Sequence, residues 1–334
     1  MNDRLPGISV LLPVFMRDVS VDNISLLRIA IQSIADQDYA GPLEILLIDD
    51  GSPVPVENFK EEIGTAAGTV RWIRLKHNRG IVFALNHGIK LAQYEFIGRM
   101  DADDCWLPGK LRDQMNLFAD DGDLSIVATG MSRVDNKGRL IDTHIRPGNW
   151  NGILSFFVEG GCPFPHGSVV ARRQIYELLG GYSHSADVQH CEDYALWGTW
   201  LRFFKPAMVE KALYQYRVSS SSVSSQYESA QVTASRLVRQ RFASLQLTND
   251  LPNALRMLAD VLGCSLIEAG KIAYTMWQYG ACLALPESSR DPLSVILPDR
   301  LICRDEPAMN WRSIIRSAPS ETEGELIGLV ARPY

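Results

Sequence analysis

Short apolar runs alternate with segments of helical period through about the first 130 residues, and this alternation constrains the fold more than any other feature of the chain. Runs at 8–15, 43–48, 70–75, 95–100 and 125–129 have the length and composition of buried strands. Within 22–37, Ile24, Leu27, Ile31 and Ile34 recur at spacings of three and four; within 81–93, Ile81, Leu85 and Ile89 do the same. Each set forms one stripe that can cover a sheet. Strands alternating with helices predict an α/β fold, a mostly parallel, right-handed central sheet flanked by helices on both faces.

After Thr129 the periodicity blurs through two Gly/Pro-rich stretches, 160–167 and Gly180-Gly181-Tyr182. A helix is expected over 193–204, with Leu196, Trp200 and Phe203 on one side. The serine-rich run 219–225 reads as a loop or linker, and from about Glu228 the pattern is helical. The expected division is an α/β domain over 1–225 and a helical C-terminal region over 226–334, the latter serving acceptor binding, packing or assembly.

Composition removes several classes. Hydrophobic residues at 46% and charged residues at 22% exclude a disordered, collagen-like or coiled-coil chain. A net charge of −6 provides no global positive field for a nucleic acid. The six cysteines, Cys105, Cys162, Cys191, Cys264, Cys282 and Cys303, lack C-x-x-C spacing, which argues for scattered reduced thiols and a cytoplasmic chain. Residues 1–6 lack the apolar core of a secretory signal. The apolar stretch 272–285 is interrupted by Gln278 and falls short of the ~20 residues needed to span a bilayer, so membrane contact at the inner face would be peripheral.

In open α/β sheets, ligands gather beyond the carboxyl ends of the strands. The polar segments that follow the runs therefore matter most. Asp101-Ala102-Asp103-Asp104 places three carboxylates within four residues. They repel one another unless a cation sits among them, and Mg²⁺ or Mn²⁺ bridging to a diphosphate is the economical answer. The bland alternative is an acidic turn before the helix that Pro108 opens. Asp49-Asp50-Gly51-Ser52 is either a simple turn or a site where Asp50 accepts the imide N–H of a base such as uracil. Pro13, Val14 and Phe15 either wall that base pocket or merely end a strand. In Asn78-Arg79-Gly80, Arg79 near a helix N-terminus suits a diphosphate, and Asn78 suits a helix cap. Neither G-x-G-x-x-G nor G-x-x-x-x-G-K-[ST] occurs, which argues against dinucleotide-binding and P-loop classes.

Five segments in order resemble family 2 glycosyltransferases of the GT-A fold: Ser9 to Phe15, Ile48 to Ser52, Asn78-x-Gly80 with Asn86-x-Gly88, Arg99 to Asp104, and Glu192-Asp193. The resemblance covers roughly residues 8–220. It implies an inverting transfer from a nucleotide-sugar donor, with a UDP-sugar expected, to a hydroxyl of a glycan or lipid-linked saccharide, in bacterial surface-polysaccharide synthesis. It further implies that Asp50 recognises the nucleobase, Asp101 the ribose and metal region, and Asp103 the Mn²⁺ or Mg²⁺, with Asp104 a second candidate ligand. Asp193 is the implied general base, with Glu192 beside it. His166 is a candidate contact for acceptor or diphosphate, and Arg217 a candidate lid over the diphosphate. Leu85 stands where many relatives carry Arg, and Phe15 where Tyr is frequent. A nucleotidyltransferase and a non-catalytic sugar-nucleotide-binding or assembly protein are the alternatives.

Overall fold

The computed structural model describes residues 5–219, 227–244 and 251–278. Most of the serine-rich run, the stretch beyond Gln278, Cys282 and Cys303 lie outside the described residues. The four other cysteines form no disulfide among the described residues.

The strands are β1 (Ile8–Val14), β2 (Leu43–Asp49), β3 (Val70–Arg74), β4 (Phe96–Arg99), β5 (Cys105–Trp106), β6 (Leu124–Val134), β7 (Leu140–His144), β8 (Val170–Arg172) and β9 (Lys205–Arg217). The helices are α1 (Val21–Ala35), α2 (Lys60–Ile63), α3 (Ile81–Leu91), α4 (Lys110–Asp120), α5 (Trp150–Val158), α6 (Arg173–Leu179), α7 (Glu192–Phe203), α8 (Glu228–Ser244), α9 (Leu251–Leu262) and α10 (Leu266–Gln278).

All strands join one sheet in the order β3-β2-β1-β4-β8-β6-β9-β5, with β7 pairing on β6. The half containing β3, β2, β1 and β4 is parallel, as the alternation predicts. Beyond it the sheet is mixed. β8 runs antiparallel to both β4 and β6, and β9 is parallel to β6 and antiparallel to β5. Parallel pairing needs a helical crossover, and the alternation of strand and helix breaks down in this half, where β6 turns directly into β7. The sequence reading stopped β6 at Thr129 and missed most of β9, because their later residues are only partly apolar.

Every residue of β1 is buried, since helices cover both faces. Ile8, Val10 and Leu12 join Leu27, Ile31 and Ile34 of α1 in the main core. On the other face α3 approaches closely: a Cβ at Gly88 would lie 3.0 Å from Leu11. Leu85, on the buried side of α3, has 0% exposure and belongs to the core. Ser20 starts α1 by accepting the Asn23 backbone N–H at 3.1 Å.

The described residues fall into two units, the first ending at Ser244. Within the first, α8 packs on α7, the helix that carries Asp193. Arg202 of α7 donates to the carbonyls of Arg241 and Phe242, and Gln231 donates to the His190 carbonyl at 2.9 Å. In the second unit, Ser265 and Glu268 form a reciprocal cap at the start of α10, with Glu268 N–H to Ser265 Oγ at 3.2 Å and Ser265 N–H to Glu268 Oε2 at 2.9 Å. Among the described residues no helix is long and apolar enough to cross a membrane.

Candidate active site

The carboxyl ends of β1, β2 and β4 meet on one edge of the sheet. Pro13 and Val14 are buried within β1, and Phe15 beyond them is exposed. At the end of β2 the two adjacent aspartates have different partners. Asp49 is spent on local structure: it accepts the backbone N–H of Ser52 at 2.8 Å and of Val56 at 3.1 Å, and pairs with Arg74 at 2.6 Å.

Asp50 accepts the backbone N–H groups of Arg79 at 2.9 Å and Gly80 at 2.8 Å. Gly80 has φ 84°, a conformation that favours glycine, and has no side chain with which to cap α3. The carboxylate from β2 therefore supplies the cap and sits at the positive end of the helix dipole. Burial raises the Asp50 pKa, and the two N–H groups pull it back. Gly80, and not Asn78, holds the N-cap position of α3. Arg79 is exposed, with its guanidinium 3.6 Å from the Phe83 ring centroid.

β4 ends on Arg99, which is 5% exposed and pairs with Asp101. Its charge is felt by Asp103, Glu192, Asp193 and His166, so one buried guanidinium lies central to the acidic groups. Asp104 is 1% exposed and both its oxygens are engaged: Tyr214 Oη donates to one, and the Arg217 backbone N–H donates to the other at 2.7 Å. Tyr214 Oη also lies 3.4 Å from Asp101. Arg217 does not stand free as a lid; its Nε and Nη1 donate to the carbonyls of Asp103 and Asp135 at 3.1 and 2.9 Å, bracing the acidic loop.

Asp103 differs from its neighbours. Burial and the charge of Asp101 push its carboxyl up to about 6. Among the described residues no cluster of three or more His, Cys, Asp or Glu side chains is arranged to hold a metal ion. Mg²⁺ commonly takes only one or two carboxylates and completes its shell with substrate phosphates and water, and a carboxylate strained toward protonation by a like charge gains most from a cation. The acidic loop has the chemistry for such an ion, which Asp103 would hold, whereas Asp104 is already committed to the fold.

Glu192 and Asp193 open α7. Asp193 Oδ1 accepts the Tyr194 backbone N–H at 2.7 Å, while Oδ2 lies 3.9 Å from His166 Nδ1. Burial raises its pKa and Arg99 opposes the rise. His166 Nε2 pairs with Tyr182 Oη at 2.8 Å, and burial followed by the Arg99 charge holds the imidazole neutral. Asn86 of α3 clamps Tyr182 from both sides, donating to its carbonyl at 2.9 Å and accepting its N–H at 2.8 Å. α3 is thus tied to the residues around Asp193.

The structure therefore brings Asp101, Asp103, Asp193 and His166 around Arg99 and leaves Asn78 and Arg79 at the surface. Sequence reasoning quoted Arg99 only as part of a segment and missed Tyr182 and Tyr214. Tyr182 follows a Gly-Gly pair, a weak signal; Tyr214 lies in a strand the reading did not find.

Residues 9–179, just over half of the chain, match Glycosyl transferase family 2, and the chain belongs to that family. It is 28% identical over 193 residues to the O-antigen biosynthesis glycosyltransferase WbnJ of Escherichia coli, covering 58% of this chain and 71% of that one. It is 26% identical over 201 residues to the Escherichia coli protein named UDP-Gal:alpha-D-GlcNAc-diphosphoundecaprenol beta-1,3-galactosyltransferase, covering 59% and 68%. The crystal structure of S. aureus TarS 1-349 in complex with UDP-GlcNAc matches with a TM-score of 0.51 at 15% identity, over 82% of this chain and 92% of that one. The fold is the GT-A fold, and the protein is a glycosyltransferase.

Proposed function

We propose that this chain is an inverting transferase that moves a sugar from a UDP-sugar to a hydroxyl of a glycan or lipid-linked saccharide on the cytoplasmic side of the membrane. The observation that carries this reading is the meeting of Asp101 and Asp103 with Asp193 around one buried arginine, at the carboxyl ends of the parallel strands. Two Escherichia coli relatives named for O-antigen synthesis and for a diphosphoundecaprenol acceptor support the substrate class.

In the reaction, Asp193 accepts the proton of the acceptor hydroxyl as its oxygen bonds to the anomeric carbon. The bond from that carbon to the diphosphate oxygen breaks, and the electron pair leaves with the nucleoside diphosphate. Burial raises the Asp193 pKa, which makes it a stronger base than a surface carboxylate. Neutral His166, fixed by Tyr182, lines its other side. A divalent cation at Asp103 would supply charge stabilisation for the diphosphate.

Asp193→Asn is expected to retain UDP affinity and lose transfer by about 10²–10⁴-fold; unchanged turnover refutes the base. Asp103→Asn is expected to abolish the gain in UDP affinity on adding Mn²⁺. Equal affinity of the unmodified protein with and without chelator refutes the cation.

A further inference from the structure

The turn that follows α6 places one side chain with unusual care. Gly180 and Gly181 both have positive φ, and a Cβ at Gly181 would fall 2.3 Å from Asn86 Oδ1. That close approach lets Asn86 hold the backbone of Tyr182 on both sides. Tyr182 is 2% exposed, with its ring centroid 5.9 Å from that of Tyr176. Phenylalanine would fill the same space. What tyrosine adds is a hydroxyl, 2.8 Å from His166 Nε2.

A neutral imidazole carries its one proton on either nitrogen, and the hydrogen bond made at one nitrogen decides the state of the other. Burial and the charge of Arg99 keep His166 neutral. Its second nitrogen, Nδ1, lies 3.9 Å from Asp193 Oδ2. With the proton on Nε2, a lone pair on Nδ1 would face the carboxylate that a base must present. With the proton on Nδ1, an N–H dipole faces it instead, which is attractive, and Nε2 must then accept. Tyr182 has one hydrogen to give, and its other neighbour, Tyr176, is a hydroxyl with a hydrogen of its own. Trp197 stands edge-on to the imidazole with centroids 6.0 Å apart, so the ring is held by a second neighbour.

We propose that Tyr182 is a positioning residue for the base: by donating to His166 Nε2 it holds the imidazole proton on Nδ1, so that an N–H faces Asp193 Oδ2. The separation of 3.9 Å is too long for a direct hydrogen bond, yet one oxygen can lie at about 2.8 Å from both atoms. The side chains of His166 and Asp193 are 13% and 26% exposed, so the pair is open to a ligand. Asp193 Oδ1 is taken by the Tyr194 N–H, which leaves Oδ2 for the proton. Under the transferase reading, on which this step rests, the bridging oxygen is the acceptor hydroxyl. It accepts from Nδ1–H with one lone pair, bonds to the anomeric carbon with the other and gives its proton to Oδ2. The His166 proton stays on Nδ1 throughout.

The test is long-range ¹H–¹⁵N NMR of protein labelled in its histidine rings, with the His166 signals identified by their loss in His166→Gln. UDP binding and the hydrolysis of UDP-galactose and UDP-N-acetylglucosamine in Mn²⁺ are measured alongside, water taking the place of the acceptor hydroxyl. The NMR arm needs no substrate: the parent is expected to show His166 protonated on Nδ1, and a ring protonated on Nε2 overturns the proposal. Tyr182→Phe is expected to move the proton toward Nε2, keep UDP affinity and donor KM, and lower kcat by about 10–10²-fold. His166→Asn, whose amide N–H stands near the Nδ1 position, is expected to retain more turnover than His166→Gln, whose amide reaches the Nε2 position. Adding Tyr182→Phe to His166→Asn is expected to cost nothing further, because an amide has no tautomer to fix; a full additional loss overturns the proposal. Loss of turnover in Asp193→Asn with full turnover in Tyr182→Phe sinks the positioning role alone. Parental turnover in Asp193→Asn sinks the base, while the tautomer assignment stands on the NMR.

Discussion

Asp50→Asn tests whether a side chain from β2 holds the start of α3. Asp50 is 4% exposed, and its carboxylate accepts two backbone N–H groups at 2.9 and 2.8 Å. A hydrogen bond to an ionised acceptor contributes about 1.5–3 kcal/mol net. Asparagine keeps one acceptor oxygen but loses the charge and the second bond. The burial that raises the Asp50 pKa shows that the ionised form already bears a desolvation cost, which offsets part of the loss. A net destabilisation of about 2 kcal/mol follows. At roughly 2–4 °C per kcal/mol for a unit of this size, Tm falls by about 4–8 °C. Differential scanning calorimetry measures it, and UDP titration of the same variant measures ligand affinity. Loss of UDP affinity with unchanged Tm would refute the capping argument and assign the carboxylate to the ligand alone.

Glu192 sets a pH dependence. Burial and the charge of Asp193 push it up to about 7 from 4.5, so between those values the folded chain keeps a proton that the unfolded chain releases. Stability therefore falls as pH rises through that window, by about 1.4 kcal/mol per pH unit at most. Urea unfolding at pH 5 and 7.5 is expected to show a smaller difference for Glu192→Gln; an unaltered slope would place the proton uptake elsewhere. Asp103 acts in the same direction, so the slope shrinks without vanishing. Tyr214→Phe removes the donor to buried Asp104 and is expected to cost about 1–3 kcal/mol in the same assay. No loss of stability would show that Asp104 is held by Arg217 alone.

The sequence by itself determined the parallel half of the sheet and the polar residues that stand at the carboxyl ends of its strands. A strand buried on both faces must be apolar throughout, and polar segments at its carboxyl end stand out against it, as Asp50 and Asp101 do. Only the tertiary structure decided what each group does with its hydrogen bonds. Asp49, Asp50 and Asp104 read as one class of acidic residue, yet one closes a turn, one caps a helix from another element and one is locked to β9. Arg217 braces a loop more than one hundred residues earlier in the chain. Periodicity records which face of an element is dry, whereas the partner of a buried charge is fixed by contacts between segments distant in sequence, which no local pattern encodes.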